Sequence, residues 1–90
     1  MGSVEMIDMA WASQVVDAVA ATWDDCDEAI IGIASRCGEY NLYVYDYDLL
    51  VAKFVGDGMT EEEAMEWIDY NIAGSWIGSG TPILMRRGPR

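Results

Sequence analysis

The side chains best suited to chemistry in this chain are carboxylates, and the densest group is Asp24-Asp25-Cys26-Asp27-Glu28. Four acids in five positions offer the oxygen ligands that Mg²⁺ or Ca²⁺ take. No EF-hand spacing accompanies them, and successive side chains on an extended segment point to opposite faces. The group therefore reads as a solvated connector or as part of a binding surface, ahead of a cation cage. A second pair, Asp46 and Asp48, could serve as acid and base, but a helix starting just after it explains both more simply, one as cap and one as dipole partner. A third group, Glu62, Glu66 and Asp69, falls on one face of a helix predicted over 61–73. At the helical rise it spans ~10 Å, one charge per ~5 Å, against one phosphate per ~3.4 Å along a DNA strand. Alone this is an ordinary solvated face or a sparse imitation of a phosphate backbone. Joined to Glu63, to Asp24, Asp25, Asp27 and Glu28 and to the Asp46/Asp48 pair, it reaches a comparable density if the fold brings them together.

Enzymatic arrangements fare worse. The chain has no histidine, so a serine or cysteine nucleophile lacks its usual base. The glycine-containing run Gly74 to Gly80 has no lysine to follow a phosphate loop. Paired carboxylates could run glycoside chemistry, but ninety residues leave little room for a deep substrate cleft. We therefore expect no catalytic residues and no cofactor. A structural zinc site wants four ligands and only Cys26 and Cys37 are present, so no metal site is expected either. The segment between those cysteines reads as mostly extended, which holds them beyond the ~7 Å Cα limit for a disulfide. Both are expected as free thiols.

Charge narrows the partners. Sixteen acids oppose five bases, for a net charge of −11. Residues 1–85 hold all the acids and only Arg36 and Lys53, a balance of −14, while Arg86, Arg87 and Arg90 make the end of the chain basic. Duplex DNA and anionic membranes both need clustered Lys and Arg, so direct binding to either is not expected. Charges interrupt every apolar stretch short of the ~20 residues of a membrane span, and Glu5 and Asp8 stand where a signal peptide would carry bases. A cytoplasmic protein is the expectation.

These groups must be positioned by a small set of elements. Residues 4–23 repeat apolar positions at helical spacing (Met9, Ala12, Val16, Val19, Trp23), with Ser3 as N-cap. Residues 28–36 and 41–47 read as two strands of a hairpin. A helix over 49–56 follows, capped by Asp46 or Asp48, with Leu50, Val51, Phe54 and Val55 inward. Thr60 and Glu63 form a capping box, with Met59 stapled over Ala64. Ala64, Met65, Trp67, Ile68, Asn71 and Ile72 then share one helix face. Asn71 inside that face needs a partner, and the backbone of the 75–80 loop would supply it. Gly74 closes the helix, and residues 81–85 form a last strand. The order is α-β-β-α-α-β in one α+β domain over 1–90, a three-stranded, mainly antiparallel sheet with helices packed on one face.

From Glu28-Ala29-Ile30-Ile31-Gly32 through Tyr45-Asp46-Tyr47-Asp48, Gly58-Met59-Thr60-Glu61-Glu62-Glu63-Ala64, Asp69-Tyr70-Asn71-Ile72-Ala73-Gly74 and Gly78 with Thr81-Pro82, the chain resembles a family of small acidic proteins encoded by tailed bacteriophages. The likeness covers about 24–86, leaving the N-terminal helix (1–23) and the basic tail (87–90) outside it. It implies action inside a bacterial host and carries no catalytic residues.

The expected function is a non-enzymatic acidic binding protein that inhibits a basic, nucleic-acid-binding or defence protein of that host. Asp24, Asp25, Asp27, Glu28, Glu62, Glu66 and Asp69 would be the contacts. The alternative is a self-associating assembly module. Trp11, Trp23, Trp67 and Trp76 exceed what a small interior holds, and Tyr40, Tyr43, Tyr45 and Tyr47 read as aromatics on both faces of the hairpin, so a two-fold dimer is expected. A divalent-metal enzyme or sensor ranks third.

Overall fold

The computed structural model describes residues 6–89. Its elements are α1 (Met9–Val15), a 3₁₀ turn (Asp27–Ala29), β1 (Ile30–Ala34), β2 (Leu42–Asp46), α2 (Tyr47–Gly56), α3 (Glu61–Ile68) running on into a π-helical turn (Asp69–Ala73), and β3 (Ile83–Met85). The architecture is α+β. β2 is the central strand: β1 pairs with it antiparallel, Ile33 opposite Tyr43 and Ala34 opposite Leu42, with a bulge between Ile30 and Gly32. β3 pairs with it parallel, Val44 opposite Ile83 and Asp46 opposite Met85. The sheet is therefore mixed, not mainly antiparallel as expected. The two helices between β2 and β3 form the long crossover that a parallel return needs.

α1 is far shorter than the helix expected over 4–23. Asp8 is its cap, with Oδ1 accepting from the amides of Ala10 (2.9 Å) and Trp11 (3.3 Å). The proposed cap Ser3 lies outside the described residues. The helix stops at Val16, which is extended. The reason is tertiary: the Asn41 side chain donates to the Val15 carbonyl, the Asn41 amide donates to the Asp17 carboxylate, and the Asp17 amide donates to the Asn41 carbonyl. These bonds to the start of β2 displace the helical ones. Residues 17–23 then cross the molecule as a strap, the Ala21 amide donating to Gly80 and the Trp23 amide to the Tyr45 hydroxyl. Gly80 is required at this crossing, because a Cβ there would lie 1.7 Å from the Val19 carbonyl oxygen.

The local helix signals hold. Asp46 caps α2, its Oδ1 accepting from the Asp48 amide at 2.9 Å, so the helix begins at Tyr47, ahead of residue 49. Leu50 and Phe54 are buried, Val51 is half-buried and Val55 is exposed, so only part of the expected inward set points inward. The Thr60/Glu63 capping box forms in both directions, at 2.9 and 3.1 Å. The buried seam of the helix that follows is Ala64, Ile68 and Ile72, an i, i+4, i+8 row narrower than the face read from the sequence. Each buried isoleucine of this row is worth ~1.5–3 kcal/mol. Met65 and Trp67 flank the seam, partly exposed, and Trp67 leans on Phe54 at a ring separation of 4.7 Å.

Asn71 departs from its expected place. After Ile68 the wider π turn rotates it outward, it is exposed, and its amide donates to the Trp67 carbonyl at 3.0 Å, away from the 75–80 loop. Gly74 ends this turn as expected, but at φ −90, a conformation open to any residue. Tyr43 and Tyr45 are both buried, as the two-residue strand period requires of positions 43 and 45. They do not line both faces of the hairpin.

Candidate functional site

Two acidic stretches flank α2. The first is the turn at 24–28, where Asp25 adopts φ +58, an uncommon left-handed conformation for a non-glycine residue. Asp24, Asp25, Asp27 and Glu28 are all exposed, and the 3₁₀ turn carrying the last two packs against α2. Cys26 alone in this stretch is buried. Burial pushes its thiol up, Lys53 pulls in the other direction, and Glu28, Asp25 and Asp27 add to the rise. It is part of the buried core. Both cysteines are free.

The second stretch is on α3, which also packs on α2. Glu62, Glu66 and Asp69 are all exposed, and Asp69 also faces Arg86 at 3.5 Å. Glu63 is engaged in the capping box. Among the described residues, no three His, Cys, Asp or Glu side chains are grouped as a metal ion would require. No helix among them is long and apolar enough to cross a membrane.

Three of the described bases, Lys53, Arg86 and Arg87, each pair with particular acids. Lys53 donates to Asp57 at 2.7 Å, and that hydrogen bond pushes its ammonium up. Arg86 lies over the Tyr47 ring at 4.6 Å as well as facing Asp69. Arg87 brings Nε to 2.6 Å and Nη2 to 2.5 Å of Asp46 Oδ2, with Asp48 at 3.9 Å. Asp46 is 1% exposed, so one carboxylate both caps α2 and anchors the residues after β3. The Asp46/Asp48 pair is thus structural, and Arg87 is docked instead of extending as a loose basic tail.

Of the seven predicted contact residues, six (Asp24, Asp25, Asp27, Glu28, Glu62 and Glu66) stand exposed and outside every ion pair among the described residues. Asp69 is the exception.

A second surface joins Tyr40 and Trp76, which the sequence marks as surplus aromatics without placing them together. Where β1 ends and β2 and β3 begin, an open groove of about 670 Å³ runs between the β1–β2 turn and the loop after the π turn. Its walls are Ala34, Tyr40, Leu42, Trp76, Pro82 and Ile83, and its charged residues are Arg36 and Glu39. Trp76 is 77% exposed and Tyr40 46%. The available signal was Trp76-Ile77 inside a Gly/Ser loop, an apolar pair where a solvated loop needs none. No protein-family model, curated protein or solved structure matches this chain.

Proposed function

We propose that this protein is a non-enzymatic binding module that presents unpaired carboxylates to a basic, nucleic-acid-binding protein and blocks its nucleic-acid surface. One observation carries this reading: of the described bases, Lys53, Arg86 and Arg87 pair with Asp57, Asp69, Asp46 and Asp48, while the 24–28 turn and Glu62 and Glu66 keep their charge exposed and unpaired. Exposed surplus charge of one sign raises encounter rates with an oppositely charged surface and suppresses wrong partners. The resemblance to phage proteins directs the search to a bacterial host, where restriction, defence and transcription proteins carry such surfaces.

The test is capture from bacterial lysate on the immobilised protein, with stepwise salt elution. Recovery at low salt of a nucleic-acid-binding protein that duplex DNA displaces supports the reading. Recovery of nothing that DNA displaces overturns it.

A further inference from the structure

We propose that the groove between Tyr40 and Trp76 is a self-association surface, occupied by the same groove of a second copy about a two-fold axis. This goes beyond the acidic-surface reading and does not depend on it. The molecule carries −11, yet the charged residues lining this groove are one base and one acid, Arg36 and Glu39. The patch is a neutral island on an anionic surface, the place where two such molecules approach with least repulsion.

The two charges are held close but apart. A tight turn through Gly38 (φ +78) links them, the Glu39 amide donating to the Arg36 carbonyl at 2.8 Å. Even so, the side chains form no ion pair with each other, and among the described residues neither has an ion-pair partner elsewhere. Lys53, Arg86 and Arg87 are all paired, so Arg36 is the exception among the described bases. In a two-fold contact, residue i meets j and j meets i. A patch with one positive and one negative corner is therefore complementary to itself, Arg36 of each copy meeting Glu39 of the other.

The apolar part fits the same occupant. Trp76 stands 77% exposed beside Tyr40 and Ile83. A Trp so exposed is poorly covered by a small ligand, whereas Trp and Tyr at the centre of a protein contact carry most of its energy. A strongly basic partner would instead meet Arg36 as a like charge.

Sedimentation equilibrium of the whole chain tests the proposal, with the thermal melt of every variant confirming the fold. Wild type is expected to dimerise, and Trp76→Ala to weaken the dimer roughly tenfold or more. Arg36→Glu and Glu39→Arg each place like charges across the axis and should give monomers. The double variant R36E/E39R should dimerise again, and an equimolar mixture of the two single variants should form the heterodimer. Salt screens the repulsion between two copies and the Arg36–Glu39 attractions alike, so the dimer should change little with added salt, whereas binding to a basic protein loosens steeply. Failure of one reading is thereby distinguishable from failure of the other. A wild type that stays monomeric at all concentrations, or a dimer unaffected by the single charge reversals or by Trp76→Ala, overturns the proposal.

Discussion

The ion pair between Arg87 and Asp46 is where the structure makes its sharpest energetic claim. Asp46 Oδ1 is occupied by the Asp48 amide, and Oδ2 receives two guanidinium nitrogens at 2.6 and 2.5 Å on a carboxylate that is almost fully buried. Removing the partner of a buried charge costs ~3–5 kcal/mol when both members are buried. Here the Arg87 side chain is 54% exposed, and its removal lets water reach the carboxylate, so we expect about 2 kcal/mol for Arg87→Ala. Asp46→Asn keeps the capping oxygen and removes the charge, for about 1 kcal/mol. Once the carboxylate is an amide the cation has little left to neutralise. The double variant R87A/D46N should therefore cost about 1.5 kcal/mol, well below the ~3 kcal/mol of an additive pair, a coupling of about 1.5 kcal/mol. Urea denaturation followed by tryptophan fluorescence reads this as shifts in midpoint at constant slope. A coupling below ~0.5 kcal/mol would refute the assignment of Asp46 as a buried charge held by Arg87.

Other outcomes follow from particular contacts. Gly80→Ala drives a Cβ into the Val19 carbonyl and should destabilise by about 2 kcal/mol or more by thermal melt, since backbone cannot swing aside as a side chain can. Burial pushes the Tyr45 hydroxyl up to about 12, against about 10 for an unfolded tyrosine. The fold therefore favours the protonated ring. That contribution is complete below pH ~10 and is lost as pH rises towards ~12, about 2–3 kcal/mol in all. Tyrosinate absorbance should show a titration near 12 that Tyr45→Phe abolishes. A thiol reagent should label Cys37, which is exposed, at once and Cys26 only on unfolding; rapid labelling of both in the folded protein would contradict the buried position of Cys26.

What was legible in the sequence was local. Thr60 and Glu63 three positions apart, and Asp46 ahead of an apolar helical row, specify their caps through bonds within three residues, so the helix starts could be read directly. The hairpin was legible because two runs of β-branched and aromatic residues lie next to each other in sequence. What was not legible rests on distant partners. Asn41 ends α1 from 24 and 26 residues away, and Arg87 reaches Asp46 across 41. The parallel seating of β3 depends on where two intervening helices deliver the chain, which no pattern inside 81–85 encodes. Asn71 was misplaced because a π turn breaks the constant rotation that the helical reading assumes. Among the site residues, exposure of the acids was predictable from type, but the diversion of Asp69 to Arg86 was not. The groove escaped because its walls come from segments some 40 residues apart, and only packing joins them.

The central claim is that the unpaired carboxylates form the working surface. It is tested most directly by repeating the lysate capture with a variant in which Asp24, Asp25, Asp27, Glu28, Glu62 and Glu66 are replaced by their amides, a change that keeps shape and removes charge. The wild type should retain a nucleic-acid-binding protein displaceable by duplex DNA, and the neutralised variant, melting at a similar temperature, should retain none. Equal capture by both would contradict it.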